Sequence, residues 1–153
     1  MKRLLVPLGV VLSFISCSSG APAPAEQPKP PAEIPITSKS PEAIEHFKKG
    51  RDLSDNLRNA EAVEELDQAI KLDPDFAQAL AYRSGGVPGP EGLKDLEQAS
   101  AKAGAASKPE QLLIAALLSG RQADFAKSQE LWKQLTEAVP EDWRTHMGRG
   151  PGC

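Results

Sequence analysis

Few residues in this chain are of a type and spacing that could do chemistry. The two histidines, His46 and His146, are far apart in sequence, and neither has a cysteine or carboxylate partner at a metal-ligand spacing such as HExxH. His46 reads most simply as a packing residue on a helix face. Gly85-Gly86 and Gly148-x-Gly150 do not sit between a strand and a helix, so they do not read as phosphate loops. Carboxylates such as Glu64, Glu65 and Asp95 fall on solvated helix faces. No nucleophile, base and orienting group come together. The expectation is a protein without catalytic residues, without a metal site and without a cofactor. Two cysteines remain, Cys17 and Cys153. Cys153 stands alone near the end, where it is either an intermolecular disulfide partner in an oxidising compartment or incidental.

Cys17 has a more telling context. Lys2 and Arg3 are followed by an uncharged apolar run over residues 4–15, short of the roughly 20 residues needed to span a bilayer. A basic start and a short apolar run suit a secretory signal. Phe14-Ile15-Ser16-Cys17 resembles a bacterial lipobox, with Phe14 where leucine is usual. The resemblance implies cleavage before Cys17 and acylation of its thiol and amine. Several acyl chains anchor stably where one is marginal. The other reading is an ordinary signal peptide with a chance cysteine. Ser18 follows Cys17 where an Asp would retain enterobacterial lipoproteins in the inner membrane, so the outer membrane is the expected destination. Residues 1–16 are thus expected to be a signal peptide. Residues 17–39 are expected to be the lipidated cysteine and a disordered tether. Residues 21–36 hold six prolines, which favour an extended, semi-rigid spacer.

The rest of the chain must be helical. Residues 60–76 place Ala62, Leu66, Ala69 and Ile70 on one helical stripe, opposite Glu61, Glu64, Glu65, Asp67, Gln68 and Lys71. Proline disfavours helical geometry in the residue before it, so this helix stops at Asp73-Pro74, with Asp73 expected to cap the helix that follows. Small residues at Ala62 and Ala69 invite a neighbouring helix. Ser40 caps and Pro41 opens a preceding helix over residues 41–57. There His46, Gly50, Leu53 and Leu57 share a face, and Phe47, Arg51 and Ser54 share the next. Further helices are expected over residues 76–83, 91–102 and 122–139, the last with Phe125, Leu131, Trp132 and Leu135 inward. Ser107 and Glu110 have capping-box spacing ahead of the apolar residues 112–118.

Gly50, Ala62, Leu66, Ala69 and Pro74 are spaced by 12, 4, 3 and 5 residues. This resembles the tetratricopeptide repeat, a helix–turn–helix unit of about 34 residues. Ser128, Trp132, Leu135 and Pro140 repeat the 4, 3, 5 spacing, and Gly92, Leu96 and Ala99 repeat the 4 and 3. The resemblance implies an all-α fold: a short right-handed solenoid of about three helix pairs over residues 40–142. Residues 143–153 read as an incomplete fourth unit, either a truncated or out-of-frame end or a short natural tail. In such repeats the first helices of successive units line a groove that binds peptides or helices. By that resemblance Phe47, Arg51, Ser54, Gln78 and Tyr82 would meet a protein partner, while Leu113 and Leu117 read as core.

Charge narrows the partners. The sequence has 18 basic and 21 acidic residues, and losing Lys2 and Arg3 would leave 16 against 21. No basic patch with interleaved aromatics supports nucleic-acid binding. The expected function is a membrane-tethered protein-binding scaffold in a Gram-negative cell envelope, facing the periplasm. The alternative is an assembly factor like the lipoprotein pilotins of secretins. Weak self-association through the C-terminal unit is also expected, because its outer face lacks a full capping helix.

Overall fold

Ser40 starts the first helix by accepting a 3.1 Å hydrogen bond from the Ala43 backbone N–H, with Pro41 at the first helical position. The computed structural model describes residues 32–148. The signal segment, Cys17, the tether up to residue 31 and the tail from residue 149 lie outside the described residues. Within them the protein is all-α. The helices are α1 (Pro41–Asp55), α2 (Asn59–Leu72), α3 (Ala77–Gly86), α4 (Gly89–Lys102), α5 (Lys108–Arg121), α6 (Phe125–Ala138) and α7 (Arg144–Met147). A 3-10 turn, Ala103–Ala105, joins α4 to the α5 capping box formed by Ser107 and Glu110.

Each helix packs on the next, and α3 also touches α1 and α5. The pairs α1–α2, α3–α4 and α5–α6 are therefore three hairpins in a row, with α1, α3 and α5 sharing one side. Residues without bulk set how closely the hairpins close. A Cβ on Gly50 would come within 2.7 Å of Leu66 Cγ and 3.2 Å of Ala62 O. Ala62, Leu66 and Ala69 are all buried. In the second hairpin a Cβ on Gly92 would fall 2.3 Å from Val87 O, and Leu96 and Ala99 are buried. In the third, Ser128 Oγ donates to Ala116 O at 2.9 Å, and Leu135 is fully buried. Trp132 is half-buried beside it, while Pro74 and Pro140 are exposed in the connections.

Several expectations change. α3 runs through Ser84-Gly85-Gly86 rather than stopping at residue 83. Gly86 lies too close to α2 for a side chain, since a Cβ there would sit 2.6 Å from Val63 Cγ2. The helix stops only before Pro88. Leu57, expected on the inward face of α1, lies beyond the helix with φ 61° and is 84% exposed. Phe125, expected inward, is 67% exposed at the start of α6. Asp73 does not cap the helix that follows; it is the C-cap of α2, and its carboxylate receives Ser38 Oγ at 2.6 Å, Lys39 N at 3.0 Å and Asp75 N at 3.2 Å. After Pro140 the chain is not a loose stub. Thr145 is fully buried, Thr136 Oγ1 donates to Thr145 O at 3.2 Å, and Gly148 lies flat against the Trp132 ring.

Candidate functional site

The shared side of α1, α3 and α5 is where the predicted partner residues fall, and part of it is already covered. Residues 33–39, expected to belong to a free tether, pack against it. Ile34 is 3% exposed among Leu112, Leu113, Leu135 and Val139. Ile36 packs on the cluster that holds Phe47, Leu66 and Phe76. Burial at alternate positions is the pattern of an extended segment laid on a surface. Proline-rich composition hid it, although the Ile-Pro-Ile alternation was a legible signal.

Carboxylates hold the backbone of this segment. Ile34 N donates to Asp142 Oδ2 at 3.0 Å, Thr37 N to Glu110 Oε1 at 2.9 Å and Lys39 N to Asp73 Oδ2 at 3.0 Å. Thr37 Oγ1 adds a 2.6 Å bond to Glu110 Oε2. Glu110 is the capping-box glutamate, and its Oε2 also receives Ser107 N at 2.8 Å. One fully buried carboxylate therefore caps the start of α5 and clamps the segment. Burial, the largest single influence, pushes the Asp73 carboxyl up. The bonds from Ser38, Lys39 and Asp75 together outweigh it and hold the group below the usual carboxylate range.

Three of the predicted residues are buried rather than exposed to a partner. Phe47 is fully buried, with its ring 4.9 Å from Phe76 and 5.3 Å from Tyr82. Arg51 is 8% exposed, stacked 5.9 Å from the Phe47 ring and 3.7 Å from Glu33 Oε2. Its Nε has no hydrogen-bond partner. Gln78 is 1% exposed, and neither atom of its amide has a partner among the described residues.

Ser54 and Tyr82 fall elsewhere on this side, on an open cleft of about 360 Å³. Its walls are Leu113, Leu117, Trp132 and Met147, and its rim carries Asp55 and Arg144. Arg144 Nε and Nη2 both lie 2.9 Å from Asp55 Oδ2, so α7 is tied back to the end of α1. Arg144 Nη1 reaches Asp142 Oδ1 at 3.3 Å. That pair connects the cleft to the carboxylate that holds Ile34. Burial pushes the Tyr82 hydroxyl up to about 12. Sequence reasoning missed Asp55, Asp142 and Arg144, because pairs 89 residues apart leave no mark in local spacing. Leu113 is buried as expected of core, yet it and the half-buried Leu117 also wall the cleft.

Most other charges sit on solvated faces, but Asp95, expected on one, is buried at 8% exposure and receives Arg83 Nη1 at 2.5 Å. His46 Nδ1 lies 2.7 Å from Glu65 Oε2, and Lys49 pairs with the same carboxylate. Lys49 and then His46 hold the Glu65 carboxyl below its usual range. Among the described residues no group of three histidine, cysteine or acidic side chains is placed to hold a metal ion. No described helix is long and apolar enough to cross a membrane.

Fold and site together define an all-helical chain of three hairpins whose common side carries a seated segment and an open apolar cleft. Comparison with protein-family models, with curated proteins and with solved structures finds no match.

Proposed function

We propose that this protein is a lipid-anchored scaffold of a bacterial cell envelope, built as a short tetratricopeptide-repeat-like solenoid, that holds a protein partner and performs no catalysis. The observation that carries this reading is the side shared by α1, α3 and α5. It offers an apolar cleft at Tyr82, Leu113, Leu117 and Trp132, and it already accommodates a stretch of chain beside that cleft. Close helix contacts at Gly50, Gly92 and Ser128 support the repeat, since they recur at the positions the spacing singles out. The lipobox-like Phe14-Ile15-Ser16-Cys17 supports the anchor, with the domain facing the periplasm, from the outer membrane. Exposed Phe125, Trp143 and Met147 support weak self-association of the C-terminal unit.

The test is site-specific photo-crosslinking in cells that make the full chain. A crosslinker at Ser54 or Leu117, both on the cleft, should trap one discrete partner. The same group at Gln134, exposed on α6, should trap none. Equal trapping from Gln134, or none from the cleft, would refute the binding reading.

A further inference from the structure

Residues 33–39 occupy the shared side as a ligand would. Two aliphatic side chains, Ile34 and Ile36, enter apolar clusters. Three backbone N–H groups, of Ile34, Thr37 and Lys39, reach three carboxylates supplied by separate parts of the fold, Asp142, Glu110 and Asp73. A hydroxyl, Thr37 Oγ1, completes the bond pair at Glu110. Most of what holds the segment is therefore backbone and aliphatic surface, which another chain of similar pattern can reproduce.

The segment is also an imperfect ligand. Gln78, 1% exposed on α3, keeps both amide atoms without hydrogen-bond partners, and Arg51 Nε has none either, with Asp52 Oδ1 3.9 Å from it. An amide buried without partners is costly, and a ligand that reached it with a polar group would relieve that cost. Glu33, the segment's counter-charge to Arg51, is 3.7 Å away with its side chain 63% exposed.

We infer that residues 33–39 are an intramolecular competitor lying in a second binding site, which opens when they lift away. The site's external ligand is a segment of another protein with two aliphatic side chains two residues apart, a hydroxyl residue next, and no acidic residue from the first aliphatic position onward. From that position on, the three carboxylates exclude acidic side chains and favour neutral or basic ones, as Lys39 near Asp73 illustrates. Tethering gives the internal segment a high effective concentration, so the resting protein presents the open cleft and withholds this site. The inference rests on the protein-binding reading but concerns a different surface from the cleft.

The test uses a fluorescently labelled peptide of residues 32–39, Ala-Glu-Ile-Pro-Ile-Thr-Ser-Lys, added to the detergent-solubilised full chain. The variant Ile34→Ser with Ile36→Ser should bind it at least tenfold more tightly than the wild type. A peptide with serine at both isoleucine positions should not bind either protein. Should the double variant lose its helical circular dichroism, Thr37→Ala with Ser38→Ala decides instead. That variant keeps both apolar contacts and should show a smaller gain in the same direction. A folded, opened variant that ignores the peptide, or a wild type that binds it equally well, overturns the inference. Crosslinking from Ser54 and Leu117 is independent of this result, so failure here is distinguishable from failure of the scaffold reading.

Discussion

Two glycines seven residues apart should respond to alanine with opposite signs. Gly85 lies in the last turn of α3, and a Cβ added there meets nothing within 4 Å. Replacing glycine by alanine in a helix interior gains about 1 kcal/mol, so Gly85→Ala should stabilise by up to about that much. Gly92 lies inside α4, and the same Cβ would sit 2.3 Å from Val87 O, 2.8 Å from Ser84 O and 2.9 Å from Arg121 Nη2. The first two contacts are backbone atoms, one in the connection to α4 and one in α3, and cannot swing aside. Arg121 could move, but its guanidinium donates to Ser84 O at 2.8 Å and would lose that bond. Overpacking costs about 1–3 kcal/mol, and rigid backbone neighbours place this site at the upper end. Subtracting the same propensity gain of about 1 kcal/mol leaves Gly92→Ala destabilising by about 2 kcal/mol. The two variants should thus differ by about 2–3 kcal/mol. Urea denaturation followed by far-ultraviolet circular dichroism reads this directly, provided the slope with urea is unchanged. A Gly92→Ala protein as stable as the wild type would mean that α3 and α4 do not cross as closely as described.

Leu57 holds φ 61° and is 84% exposed, so Leu57→Gly removes strain and little packing. Left-handed geometry costs a side-chain-bearing residue about 1–2 kcal/mol, against about 0.4–1 kcal/mol of added freedom in the unfolded chain. Leu57→Gly should therefore raise stability by about 0.5–1 kcal/mol, and a lower urea midpoint would contradict this. Tyr82 is the sequence's single tyrosine, so absorbance at alkaline pH reports it alone. It should ionise near 12 in the folded protein, with the stability it contributes present below about pH 10 and lost as pH rises toward 12. Ionisation near the ordinary value in a protein still folded would show the hydroxyl to be solvated. Cys17→Ser should abolish acylation and membrane fractionation, and labelled palmitate in the variant would count against the anchor.

Helices were the most legible part of the sequence. Ser40-Pro41, Ser107-x-x-Glu110 and the stripe Ala62, Leu66, Ala69 act between residues at most a few turns apart, so spacing alone reveals them. Boundaries were less legible. Gly85 and Gly86 look like helix breakers, yet α3 continues through them because α2 passes close to Gly86 and a side chain there would keep the helices apart. The candidate site was legible only in part. Tyr82 and Ser54 line the cleft, but Phe47, Arg51 and Gln78 are buried.

What local sequence determined by itself is which residues coil into helices and which stripe of each is apolar, because those are properties of one turn and its neighbours. Tertiary structure alone decided what lies over those stripes. Proline content marks residues 33–39 as unable to make a regular helix, and says nothing of the helix ends that supply carboxylates to their backbone. Asp73, Glu110 and Asp142 reach this segment from 34 to 108 residues away, and Arg144 reaches Asp55 across 89. Such pairings form only when the stacked hairpins bring distant ends together. Hence a glutamate legible as a helix cap also became the clamp on the segment that lies over the side shared by α1, α3 and α5.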